Sequence, residues 1–268
     1  MNLYCNLATL KARLGISGTG SDAVQLVLLE GVSRSIDQWC NRRFFVKMET
    51  RSYDGSRSPL LLDEDLAALT TLKTDDDGDG VAESTWAASD YALLPYQGSP
   101  KYAIEVTPWG TRGDFNPGQR KAVEVAGRWG YDETTQASSA TVSGNHSASA
   151  TTLAVSDGTQ FSPGDTLLVE SEQLSVSAVS GNNLTVRRGV NGTTAASHSG
   201  GTAIAVVTYP AAVREACLLQ AARRWMRRDP AFATVDGLPG AVDSQAVGMD
   251  ADARALLAQI RKYQVTGV

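Results

Sequence analysis

Apolar and polar residues recur along this chain with two different periods, and the change of period divides it. Near the start, Leu7, Leu10 and Leu14 keep the three-to-four-residue spacing of one helix face, and Gly15 follows where a left-handed cap belongs. A second helix is expected after Thr19-Gly20-Ser21-Asp22, whose T-x-x-D spacing suits a capping box. Val24, Val27, Leu28, Val32, Ile36 and Trp39 form its stripe, which predicts a core-facing helix with Gly31 admitting a close neighbour. From Arg42 to Tyr131 the period shortens. Arg51-Ser52-Tyr53-Asp54-Gly55 ends in a turn, Leu60-Leu61-Leu62 is a short apolar run, and residues 103–106 and 122–125 read as strands. Pro95, Pro100, Pro108 and Pro117 break any helix there.

A Ser/Thr/Ala-rich stretch over residues 134–152 then opens a third pattern. Short alternating runs at 153–155, 166–169, 174–179, 184–186 and 203–207 are separated by Asp157-Gly158, Pro163-Gly164-Asp165 and Gly181-Asn182-Asn183. Such spacing predicts a small sandwich or barrel of about five strands. Helical periodicity returns after Pro210, with Val213, Cys217, Ala221 and Trp225 as a buried stripe. Arg223, Arg224, Arg227 and Arg228 crowd the end of that helix, where they complement its dipole, and Asp229-Pro230 stops it. A connection through Gly237, Gly240 and Gly248, expected to be mobile, leads to a last helix capped by Asp250 and striped by Ala253, Leu256, Leu257 and Ile260. The expected class is α+β: a helical core with a small antiparallel β region (residues 1–136 and 209–268), interrupted by an inserted all-β sandwich or barrel domain (137–208).

Composition narrows the function. A chain of 268 residues, 42% hydrophobic and 20% charged, is that of a folded protein with a real core. No apolar run approaches the roughly 18–20 residues that span a bilayer, so no membrane is expected as a partner. Residues 1–15 lack the charged start, apolar middle and cleavage site of a secretory signal, so a cytoplasmic chain is expected. Cys5, Cys40 and Cys217, odd in number and widely spaced, fit reduced core thiols better than a disulfide framework or zinc site. A net charge of −5 argues against whole-surface nucleic-acid binding.

Few residues suggest chemistry. Asp75, Asp77, Asp79 and Gly80 match the opening of an EF-hand loop with Glu83 at its ninth position, but Trp86 stands where the bidentate Glu belongs. A solvated hairpin tip is the expected reading, with Asp75, Asp77, Asp79 and Glu83 as ligands for calcium or magnesium in the competing one. A metal-dependent enzyme at that loop is the corresponding alternative. Gly18, Gly20 and Ala23 fit G-x-G-x-x-A but follow a helix, not a strand, which argues against a dinucleotide site. His146 and His198, the only histidines, read as loop residues without ligand partners. No P-loop, H-E-x-x-H or G-x-S-x-G is present, so neither catalysis nor a cofactor is expected. Arg42-Arg43-Phe44-Phe45 and Arg223-Arg224-Trp225-Met226-Arg227-Arg228 interleave charge with aromatic rings and could meet phosphates or an acidic partner surface.

Two resemblances bear on function. "FSPGD" (161–165) and "RGVNGTT" (188–194) resemble β-modules found repeatedly in structural proteins of tailed bacteriophages. Residues 7–44, ending "IDQWCNRRF", "VEVAGRWGY" (123–131), "YPAAVREACLLQAARRWMRRDP" (209–230) and "VGMDADARALLAQIRKY" (247–263) resemble the head-tail connector, or adaptor, family of tailed double-stranded DNA phages. That likeness implies a structural virion protein of the neck, assembled in the host cytoplasm. It implies a ring of about a dozen copies beneath the portal protein, each copy touching its neighbours. A downstream neck or tail-completion protein would bind it, and genomic DNA would pass through without sequence-specific contact. Arg223, Arg224, Trp225, Arg227, Arg228, Leu256, Leu257, Ile260 and Tyr263 are the candidate partner-binding residues. The alternative is a binding module whose β-insert recognises a capsid surface or saccharide; Phe161, the one aromatic in residues 138–208, argues against sugar stacking.

Overall fold

A computed structural model of the chain describes residues 2–227 and 248–262. Gly237 and Gly240 of the glycine-rich connection, Arg228 and Tyr263 lie outside the described residues. Two compact units form, one from residues 42–133 and the other from the segments on either side.

The 42–133 unit holds β1 (Lys47–Tyr53), β2 (Leu60–Thr74), β3 (Ser84–Thr85), β4 (Tyr91–Leu94), β5 (Lys101–Val106) and β6 (Val123–Trp129). They pair antiparallel in the order β1-β6-β2-β5-β4, with β3 also on β2. Leu66, Leu72, Ile104, Phe115, Val123, Val125 and Trp129 form its core. Trp129 is fully buried and donates its indole N–H to the Glu49 carbonyl at 3.0 Å. Gly130 follows at φ +147°, and a Cβ there would stand 2.3 Å from the Phe45 carbonyl oxygen, so the chain leaves β6 through a gap that admits only glycine.

The expectation of a helical adaptor core with a small β region is wrong. Twelve strands in two antiparallel sheets, against four short α-helices among the described residues, make the chain mostly β. The physical reason lies largely in β2. Its sequence, LLLDEDLAALTTLKT, is rich in helix formers and does not alternate, yet its start pairs with β5 and its stretch from Leu66 to Thr74 with β6. Register shifts between Leu66 and Ala68 and between Leu69 and Thr71 change which residues face inward, erasing the two-residue period. Pairing with its neighbours then outweighs local propensity.

In the other unit, β7 (Thr134–Thr141), β8 (Thr152–Ala154), β9 (Thr166–Val169), β10 (Glu172–Ser180), β11 (Asn183–Arg187) and β12 (Ala203–Thr208) run in the order β7-β12-β9-β10-β11-β8. A bridge between Val142 and Val155, just beyond the ends of β7 and β8, joins the two outer strands at one end and curls the sheet towards a barrel. Leu153, Leu167, Val169, Leu174, Val176, Leu184, Val186 and Ile204 fill it.

The helices of this unit are α1 (Leu7–Leu14), α2 (Asp22–Cys40), α3 (Ala211–Met226) and α4 (Ala251–Leu257). Gly15 ends α1 in the left-handed conformation, φ 67°, as expected. At the other end of α1, Asn6 Oδ1 accepts the Thr9 amide, Ser162 Oγ that of Ala8 and the Pro163 carbonyl that of Leu7. The "FSPGD" turn of the barrel thus satisfies the orphan amides of a helix far away in sequence. Before α2 no capping box forms: Ser21 is the N-cap without a side-chain bond, and Asp22 pairs with Lys11 at 2.7 Å. No helix among the described residues is long and apolar enough to cross a membrane.

The loop joining β11 to β12 is organised by one buried carboxylate. Glu172 Oε1 accepts Arg188 Nε at 2.8 Å and the Gly189 amide at 2.9 Å. Its Oε2 accepts Arg188 Nη2 at 2.7 Å, the Ala196 amide at 2.9 Å and His198 Nε2 at 2.9 Å. Arg188 also donates to the carbonyls of Ser147, Ala150 and Ala196. Burial opposes the charge on Glu172, but the bonds from Arg188, Ala196, Gly189 and His198 outweigh it and hold the carboxyl down at about 2. Its contribution to stability is therefore complete above the ordinary glutamate value of 4.5 and is lost as pH falls through about 2. Glu172→Ala strands the Arg188 guanidinium and the amides of Gly189 and Ala196 and is expected to cost about 3–5 kcal/mol in urea unfolding. A loss below about 1 kcal/mol for the single change would contradict this role.

Candidate functional site

One surface open to a partner is carried by the helices. On α2 the buried side is Gln25, Leu29, Val32, Ser33, Ile36 and Cys40. Val24 and Val27, expected in the core, lie on the opposite side at 62% and 68% exposure. At 100° per residue, Leu28 and Gly31 share that second side. Leu28 is half-buried, and Gly31 has open space within 4 Å of where a Cβ would stand. The first turns of the helix thus carry a second, exposed apolar patch, and Arg34, Ser35 and Gln38 continue that side; a single stripe drawn from sequence merged the patch with the buried side.

The expected partner-binding residues at the end of α3 and along α4 have mixed placements. Trp225 and Leu257 are buried, within the packing of α3 and α4. Gln220 fixes α4 on α3: its Oε1 accepts the Asp250 amide at 2.9 Å and its Nε2 donates to the Gly248 carbonyl at 3.3 Å. Asp250 caps α4 by accepting the Asp252 amide, as expected. Arg223 pairs with both Asp250 and Asp252, carboxylates at the start of α4. Arg224 is half-buried, Arg227 exposed. Leu256, 36% exposed, points outward, and Ile260, half-buried, sits in a 3-10 turn over Ala258–Ile260.

Within the 42–133 unit the first basic cluster is internally neutralised. Arg43 donates to Glu49 and Glu64 at 3.2 and 3.1 Å, Arg42 pairs with Asp65 at 3.2 Å, and Arg51 binds Glu49, Asp63 and Glu64. Glu49 resists desolvation because Arg51 and Arg43 bind it, and its carboxyl sits below the usual range. These guanidiniums also lie over rings, Arg51 over Trp129 at 4.4 Å and Arg42 over Tyr131 at 4.5 Å.

The acidic loop does gather its side chains. Ligand oxygens of Asp75, Asp77, Asp79 and Glu83 lie within 4.8 Å of one another, an all-oxygen set suited to a hard divalent cation. Each is also engaged with the loop's own backbone. Asp75 accepts the amides of Gly78 and Gly80 at 2.7 and 2.8 Å, Asp77 that of Asp79, Asp79 that of Val81 and Glu83 that of Asp76. Trp86, at the twelfth position, is buried and stacked on Phe115 at 4.9 Å, with its indole N–H on Thr74. That position serves the core and supplies no bidentate ligand.

Sequence reading missed the surroundings of His198. Far from being a loop residue without partners, its Nδ1 meets Glu170 at 2.8 Å and its Nε2 meets Glu172, with the side chain fully buried. The available signal was a glutamate followed by "RGVNGTTAASH", whose meaning depends on strand register.

The acidic loop gives a titration test. Burial opposes the Asp75 charge, but the Gly80 and Gly78 amides hold its carboxyl below the ordinary 3.8. Hydrogen bonds from Ser84, Thr74, Asn116 and Arg112, set against burial, bring Asp76 to about 2. Folded values below unfolded ones mean support that is present above pH 3.8 and lost as pH falls through the folded values. The amide shifts of Gly78 and Gly80 in proton–nitrogen spectra are expected to titrate with midpoints below 3.8; a midpoint at or above it would contradict the assigned bonds.

No family model matches the sequence, and no curated protein matches it, so the reading of these surfaces rests on their geometry and on the residues themselves.

Proposed function

We propose that this chain is a non-enzymatic structural connector of a tailed phage, a ring-forming neck component that binds the portal protein above and a tail-completion protein below. The observation that carries the reading is the exposed apolar patch on the first turns of α2. A chain that acts alone gains nothing by exposing Val24 and Val27, whereas burying each against a neighbour is worth about 1.5–3 kcal/mol. Repeated head to tail, a contact of that kind closes into a ring. Leu61, Tyr96 and Trp109, exposed on the 42–133 unit, supply apolar anchors for a further neck component. The resemblance of the flanking helical segments to the connector family supports the same reading, which depends on those segments and not on a helical core.

Arg42, Arg43, Arg51 and Arg223 are engaged with carboxylates of the chain itself. Paired guanidiniums favour DNA that passes over DNA that is gripped, in keeping with the net charge of −5.

Light scattering after size exclusion tests this directly, with the chain alone and mixed with its portal protein. The expected result is a complex containing about a dozen copies. Val24→Asp with Val27→Asp is expected to abolish that complex while shifting unfolding by less than about 0.5 kcal/mol, since both side chains are exposed. A wild-type chain that stays monomeric with the portal would overturn the proposal.

A further inference from the structure

We propose that Cys5 and Cys217 form a reactive dithiol site that low-molecular-weight disulfides convert to an intramolecular disulfide, fastening the N-terminal segment to α3. The inference stands independently of the connector reading. The two sulfurs lie 3.4 Å apart, 212 residues apart in sequence, and both thiols are free. A disulfide needs about 2.05 Å, so the sulfurs must close by little more than an ångström. Cys217 is fixed midway along α3, whereas Cys5 sits in the segment ahead of α1, outside any helix or strand. The adjustment therefore falls on Cys5.

Two features separate this pair from ordinary buried thiols. First, Cys5 borders a cavity. It retains 8% exposure and lines a cavity of about 540 Å³ with Asn6, Asp165, Val207, Tyr209 and Leu218, while Cys217 is sealed at 0%. Second, the proton is unevenly shared. The hydrogen bond to Cys217, together with burial, pushes the Cys5 thiol up; the same bond, aided by Ser33 Oγ at 3.7 Å, holds Cys217 as the readier thiolate against its burial. Cys40 is fully buried at the end of α2 and serves as an internal control.

The chemistry balances with the reagent as oxidant. Cys5 sulfur, passing its proton across the hydrogen bond to the Cys217 thiolate, attacks one sulfur of 2-hydroxyethyl disulfide; the reagent's S–S bond breaks, and the mercaptoethanol thiolate that leaves takes the proton from Cys217. Cys217 thiolate then attacks Cys5 Sγ, forming the protein disulfide and expelling the second mercaptoethanol. One protein thiol and one thiolate lose one proton and two electrons, and the reagent disulfide becomes one thiol and one thiolate. In a reducing cytoplasm the pair stays a dithiol, and in oxidising surroundings it closes.

The test treats the folded full-length chain with 2-hydroxyethyl disulfide, then blocks and counts thiols after denaturation and maps the peptides. The expected result is a mass loss of about 2 Da, a linked Cys5–Cys217 peptide and Cys40 as the one remaining thiol. Cys217→Ser should instead keep a mercaptoethanol adduct on Cys5. Closure should raise the thermal midpoint, reversibly with a reductant, because it restrains a long loop of the unfolded chain. Three thiols surviving in the wild type, or a lasting adduct on wild-type Cys5 without the linked peptide, would overturn the proposal.

Discussion

Glu172 lies wholly within protein at the start of β10, and five hydrogen-bond donors converge on its two oxygens. A buried carboxylate keeps its charge only while such donors take the place of water, so they must stay in place. Since they come from Arg188, Gly189, Ala196 and His198, the whole stretch between β11 and β12 is held to one shape. That shape presents Asn191, in a left-handed conformation, to Gln173 and to Asn2, whose amide and carbonyl groups exchange two hydrogen bonds with it. The N-terminal segment is thereby positioned by a loop of the barrel.

From Asn2 the constraint continues into the helices. The Tyr4 amide donates to Ser33 Oγ on α2 at 3.1 Å, and the Tyr4 ring meets Tyr209 edge-on at 4.8 Å just ahead of α3. The FSPGD turn then closes the circuit by capping α1. Barrel and helices within this unit are consequently a shared structure: the strands of the barrel pair among themselves, but the first helical turn of α1 borrows its hydrogen-bond acceptors from it. The exposed apolar side of α2 is set on a scaffold anchored at several points.

What could be read from sequence follows the range of the interactions. Gly15, Asp250 and the α3 stripe were legible because caps and helical periodicity involve residues a few positions apart. The acidic residues 75–83 were legible as a cluster for the same reason. β2 was not, because its bulges break the alternation that marks a strand. Nor was the network of Glu172, whose partners stand 16 and 26 residues away and meet only through the register of β9 to β12. The basic cluster at Arg42 and Arg43 looked available for phosphate because its acidic partners, Glu49, Glu64 and Asp65, arrive from β1 and β2. On α2, apolar residues revealed that the helix packs but not that its first turns carry a second, exposed apolar patch.

The most direct test of the dependence on Glu172 is amide hydrogen exchange in the Glu172→Gln protein, compared with wild type at neutral pH. Residues 188–198 and the segment of residues 2–6 are expected to lose protection together, while the strands of the 42–133 unit exchange as before. Loosening confined to residues 188–198, with the N-terminal segment still protected, would contradict the account.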